Sequence, residues 1–116
     1  MSSNINIDIA KDFSDTPGPR YSKEGDFPGE LFRKEVLLPK LKEAIELDVK
    51  LIVNLDGTEG YASSFLEESF AGLVSKEKID YSTIKEHLIC NSKEDTARVD
   101  YIWQKLDEAN QDIPHE

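Results

Sequence analysis

The chain opens on a clean alternation. Across residues 4–10, Ile5, Ile7 and Ile9 fall on one side and Asn6 and Asp8 on the other, the period of a half-buried β-strand. Residues 11–30 hold three of the five prolines and three of the six glycines, which predicts a structured loop with a short strand around 20–22. Loops of that length without secondary structure of their own are commonly functional. From 28 to 47 the spacing turns helical: Leu31, Leu38, Leu41 and Ile45 recur on one face, and Phe32 and Val36 widen it. Pro28 fits a first helical turn, whereas Pro39 has no amide hydrogen to donate and predicts a kink or break near it.

Residues 49–56 read VKLIVNLD, a nearly continuous aliphatic run that predicts a central strand covered on both faces. After a glycine-marked loop, Leu66, Phe70, Leu73 and Val74 form the stripe of a second helix. Residues 83–91, TIKEHLICN, predict a third strand with Ile84, Leu88 and Cys90 on one face and His87 on the other, exposed. Asn91 or Ser92 is then placed to cap a last helix with the stripe Val99, Ile102, Leu106 and Ala109. This order predicts a small single α/β domain over 1–116, a mixed β-sheet with about three helices packed against it. The ordered core is expected over about 4–109, with a flexible tail at 110–116.

Composition narrows the partners. The 116 residues carry 24 acidic against 14 basic side chains, a net charge of −10. Binding through phosphates needs clustered Lys and Arg, so nucleic acid and anionic membrane surfaces are excluded as partners. A single cysteine, Cys90, rules out an internal disulfide and a cysteine zinc knuckle, and it reads as a small buried apolar side chain. The N-terminus lacks a basic stretch followed by an apolar core, so it is not a signal peptide. We read the chain as soluble and cytoplasmic, with no metal and no cofactor.

The candidate chemistry gathers at the junction DGTEGYASSFLEESF, residues 56–70. Ser64 followed three residues later by Glu67 is the pattern of a capping box, worth about 1 kcal/mol at a helix start. A hydroxyl at that place is also exposed to modification, since a phosphate there meets free amides and the helix dipole. Catalysis is not expected: Ala62-Ser63-Ser64-Phe65 lacks the nucleophile elbow, and only His87 and His115 could serve as a base. Arg20, in a loop restricted by prolines and glycines, and Arg33 are candidate contacts for an anion or ligand. For each the bland alternative is an internal ion pair, with Glu30 as the candidate acid. Asp56 and Glu59 read as turn residues, Tyr61 as a lid on the core or an interface residue, and Trp103 as core margin.

The segment LIVNLDGTEGYASSFLEESF resembles the central strand, loop and helix of STAS domains, the fold of bacterial anti-sigma-factor antagonists. In that pattern an Asp-Ser-Ser/Thr-Gly sequence stands at a helix N-terminus, and the resemblance implies phosphorylation of Ser64 by a partner kinase. Here Ala62 replaces the aspartate and Phe65 the glycine. A wider match covers most of the chain: Pro17 to Arg20, Gly29 to Arg33 and Gly60 to Glu68 resemble the motifs of the STAS-like family of unknown function. That family often stands beside histidine-kinase-type ATPase domains.

The expected function is therefore a non-enzymatic bacterial or phage regulatory module that binds a protein, by resemblance a histidine-kinase-type ATPase. Its interaction surface is expected at Gly60, Tyr61, Ser63, Ser64 and Phe65. Two alternatives stay open: a small-ligand or nucleotide sensor using Arg20 and the helix amides, and a mobile-element inhibitor of a host protein.

Overall fold

The computed structural model describes residues 4–14, 28–58 and 60–112. The expected loop strand near 20–22, together with Arg20, lies outside the described residues. Strand β1 is Ile5–Asp8, and its alternation leaves Ile7 buried and Asn6 exposed. A single helical turn, α1 (Ile9–Asp12), follows at once. Helix α2 spans 28–47, strand β2 is Leu51–Asn54, and helix α3 spans 63–75. Helix α4 (Tyr81–His87) leads directly into β3 (Leu88–Asn91), and α5 (Ala97–Gln111) closes the described chain. The three long helices are the three expected from the stripes; α1 and α4 are short additions.

The α/β class is the one the alternation of elements predicts, and the three described strands are all parallel. Their order is β1-β2-β3, with Ile5, Leu51 and Leu88 in one row and Asp8, Asn54 and Asn91 in another. The long aliphatic run therefore takes the central place. Its cover is unequal, however: Leu51, Val53 and Leu55 are fully buried, while Ile52 and Asn54 face a side that is only half covered. Ile89, the neighbour of Ile52, is 37% exposed, so a strand covered equally on both faces is not what the sheet presents.

Helix α2 turns its expected face by about one position. Phe32, Arg33, Leu37, Leu41 and Ala44 are buried, whereas Leu31 is 41% exposed. The cause is a π turn at Arg33–Leu37, in which the Leu38 amide donates to the Arg33 carbonyl five residues back. The wider ring places Phe32 and Leu37 on the same side. Pro39 sits just beyond it, and the helix continues to Leu47 without a break. Helix α3 contains a matching π turn at Glu67–Ala71, and its stripe of Leu66, Phe70, Leu73 and Val74 is buried as expected.

Residues 83–91 are expected as one strand, yet residues 83–87 belong to helix α4 and only Leu88–Asn91 is strand. Strand β3 has partners only along the four residues of β2, so further upstream the amides must be satisfied locally. Ile84 donates its amide to the Asp80 carbonyl at 3.1 Å. His87 thereby leaves the expected exposed strand position and becomes a buried helix terminus. Its Nδ1 lies 2.7 Å from the Thr83 carbonyl and its Nε2 3.1 Å from Asp48 Oδ1. The last helix also begins later than a cap at Asn91 or Ser92 predicts. Ser92 Oγ instead accepts from the Asp95 amide at 3.1 Å, and Asp95 Oδ1 accepts from the Ala97 amide at 3.1 Å.

Candidate functional site

The carboxyl ends of parallel strands are where α/β sheets commonly receive ligands and partners. Here that edge is built from the loop after β2 and the turn after β3. The Leu55 amide donates to the Asn91 carbonyl at 2.9 Å, which carries the strand pairing one residue further. Gly57 and Gly60 then take positive φ, 91° and 152°, conformations that favour glycine, and the loop folds back to open α3.

Asp56 fixes the loop across the sheet edge. Its Oδ1 accepts from the Ser92 hydroxyl at 2.8 Å and the Glu94 amide at 3.2 Å, and its Oδ2 from the Lys93 amide at 2.7 Å. The Lys93 amide is the main reason the Asp56 carboxyl sits below the usual aspartate range; Ser92, the Glu94 amide and Arg98 add to it. Glu94 returns the contact, its Oε1 accepting from the Gly57 amide at 2.9 Å. Arg98 donates to the Leu55 carbonyl at 3.4 Å and lies 5.0 Å from the centre of the Tyr61 ring. Asp56, read as a turn residue, is instead an acceptor across the sheet edge, Glu59 lies outside the described residues, and neither Arg98 nor the turn after β3 was visible in any motif.

Tyr61, expected as a lid on the core or an interface residue, packs half-buried against the core. Its hydroxyl donates to the Leu55 carbonyl at 2.7 Å, its ring lies 5.7 Å from that of Phe65, and burial raises its pKa. Phe65, expected on the interaction surface, belongs to the core: it is 2% exposed, with the rings of Phe32 at 5.7 Å and Phe13 at 6.0 Å. Helical spacing explains this, since Phe65 shares the inward face with Leu66 and Phe70.

The capping box does not form. Ala62 carries the extended N-cap backbone, at φ −70° and ψ 141°, and its carbonyl accepts from the Phe65 amide at 3.0 Å. The helix thus starts at Ser63, which puts Ser64 at the second helical position, where its side chain is too far along to cap the first turn. Ser63 is exposed and Ser64 half-buried, and neither hydroxyl has a hydrogen-bond partner among the described residues. Gly60 is half-buried beside them.

Arg33 is not a ligand contact. It is 1% exposed, its Nε donates to Glu77 Oε2 at 3.0 Å, and its Nη1 donates to the Glu68 carbonyl and lies 3.5 Å from Glu68 Oε2. Glu30, the expected partner, pairs with Lys34 instead. The guanidinium joins the π turns of α2 and α3, a place opened by Gly72, whose hydrogen leaves the room a methyl would fill.

A three-stranded parallel sheet with long helices packed against it, and a glycine loop leading from the central strand to a serine-bearing helix start, defines a STAS-like α/β domain. The model of the STAS-like domain family of unknown function matches residues 28–96, more than half of the chain, and the chain belongs to that family. The Gly29 to Arg33 and Gly60 to Glu68 motifs lie inside the match, and Pro17 to Arg20 precedes it. No curated protein and no solved structure matches the chain. No helix among the described residues is long and apolar enough to cross a membrane.

Proposed function

We propose that this STAS-like domain is a non-enzymatic regulatory module of the cytoplasm that docks a protein partner at the start of α3, through Gly60, Tyr61, Ser63 and Ser64. One observation carries the reading. The junction that the family motif marks presents two hydroxyls without internal partners, on a helix start held in place by the Asp56 and Tyr61 contacts. A capping serine is occupied by its own helix; these serines are open to another molecule. The resemblance names the partner class, a histidine-kinase-type ATPase, and the modification, phosphorylation of Ser64.

A binding role is favoured over hydrolysis by the position of the imidazole. His87 precedes β3 while the serines follow β2, so the two stand at opposite ends of the parallel strands. Both ring nitrogens of His87 already face oxygen acceptors. The sensor alternative rests on Arg20, which lies outside the described residues; Arg33 is taken by the core, and two surface grooves are rimmed by four acids with Lys76 and by three acids with Lys40, net negative linings that disfavour an anion.

The test is co-expression with the ATPase encoded nearest to this gene, followed by affinity capture and intact mass. The expected result is a stable complex that Ser64→Glu weakens and Ser64→Ala leaves intact. Equal binding by wild type, Ser64→Ala and Ser64→Glu rejects the serine surface.

A further inference from the structure

Two segments 37 positions apart in sequence hold one another through each other's main chain. The carboxylate of Asp56, in the loop after β2, accepts from the amides of Lys93 and Glu94. The carboxylate of Glu94, in the turn after β3, accepts from the amide of Gly57. Arg98 stands between the two anions, 4.0 Å from Asp56 Oδ1 and 3.9 Å from Glu94 Oε1, and it also reaches the Leu55 carbonyl and the Tyr61 ring. The hold is therefore reciprocal: each loop supplies a carboxylate for the other's amides, and one guanidinium stands within 4.0 Å of both.

We propose that the turn at 92–96, with Arg98 in the first turn of α5, is a latch that sets the conformation of Leu55 to Gly57 and, through Tyr61, the presentation of Ser63 and Ser64. The proposal rests on the docking surface described above and adds its regulation. The two ends of the latch differ in how firmly they are held. Asp56 is gripped by three donors and its side chain is 20% exposed; Glu94 is 55% exposed and holds Gly57 by a single bond. Its contact with Arg98, at 3.9 Å, lies beyond hydrogen-bond range. A basic group arriving from a partner reaches Glu94 first, competes with the Gly57 amide, and frees the loop at its glycine hinge. Coupling of this kind is reciprocal, so whatever fixes the loop at Ser63 and Ser64 also fixes the turn.

Backbone amide hydrogen exchange on the full chain tests the latch without a partner. Glu94→Ala, an exposed turn substitution, is expected to raise exchange roughly fivefold to tenfold at Gly57, Asp56 and Phe65 together, whose amides donate to Glu94, Asn54 and Ala62, the effect of removing one hydrogen bond from the locked state. The Ser63 and Ser64 amide resonances are expected to shift with them, and α2 to keep its protection. Glu94→Gln retains an acceptor oxygen and is expected to restore most of the protection. A change confined to Gly57 overturns the latch, because a simple local cap moves no other amide. No change at all also overturns it. Exchange reports coupling alone, so the latch can stand while the serine surface fails its own binding test, or the reverse.

Discussion

Gly72 lies within the apolar stripe of α3, and it decides whether Arg33 can be buried. A methyl built at Gly72 meets Arg33 Nη1 at less than contact distance, with Arg33 Cζ at 2.9 Å and Cδ at 3.1 Å. The backbone there is ordinary helix, at φ −59°, so alanine is not strained by conformation. In an open helix Gly→Ala stabilises by about 1 kcal/mol. At Gly72 the methyl has to push the guanidinium off the Glu68 carbonyl and away from Glu77. Breaking a fully buried charge pair costs about 3–5 kcal/mol. The carboxylates of Glu68 and Glu77 are 39% and 21% exposed, so water recovers part of that and about 2–3 kcal/mol remains. Gly72→Ala is therefore expected to destabilise by about 1–2 kcal/mol after the helix gain, read as a lower urea midpoint at unchanged slope. The double variant Gly72→Ala/Arg33→Met removes the collision and is expected to be more stable than Gly72→Ala alone, with a coupling of about 1 kcal/mol or more. A Gly72→Ala protein as stable as wild type, or more stable, refutes the reasoning.

Phe65→Ala is expected to cost about 3–5 kcal/mol in denaturant unfolding, as for a core ring; a loss near zero returns Phe65 to the surface. Ser64→Ala is expected to change stability by less than about 0.5 kcal/mol, since no capping bond is lost; a fall of about 1 kcal/mol in thermal or urea unfolding restores the capping box. Because the folded Asp56 carboxyl lies below its ordinary value of 3.8, its stabilisation is present above that pH and is lost as pH falls through the folded value. The melting-temperature gap between wild type and Asp56→Asn is accordingly expected to narrow from pH 7 to pH 3, and a constant gap contradicts the assignment. Burial pushes the Cys90 thiol up to about 12, so a thiol reagent at neutral pH is expected to label it only on unfolding; rapid labelling of the native protein contradicts its burial.

What was legible in the sequence is what depends on local spacing. The alternation at Ile5 and Ile7, the aliphatic run through Leu51 and Val53, and the stripes of α3 and α5 each give an element whose buried face the sheet and helices confirm. Those elements, with the Gly29 to Arg33 and Gly60 to Glu68 motifs, are enough for the fold class and the family. What depends on partners distant in the chain was not legible. The length of β3 is set by the four residues of β2, and this turned residues 83–87 from strand to helix. The fate of Arg33 is set by Gly72, Glu68 and Glu77, between 35 and 44 positions away for its two acids. The hold on the serine loop comes from Glu94 and Arg98, which no short motif connects to Gly57 or Tyr61. Period and propensity act within a turn or two of backbone; hydrogen bonds and ion pairs across the sheet edge exist only once the strands have placed their ends side by side.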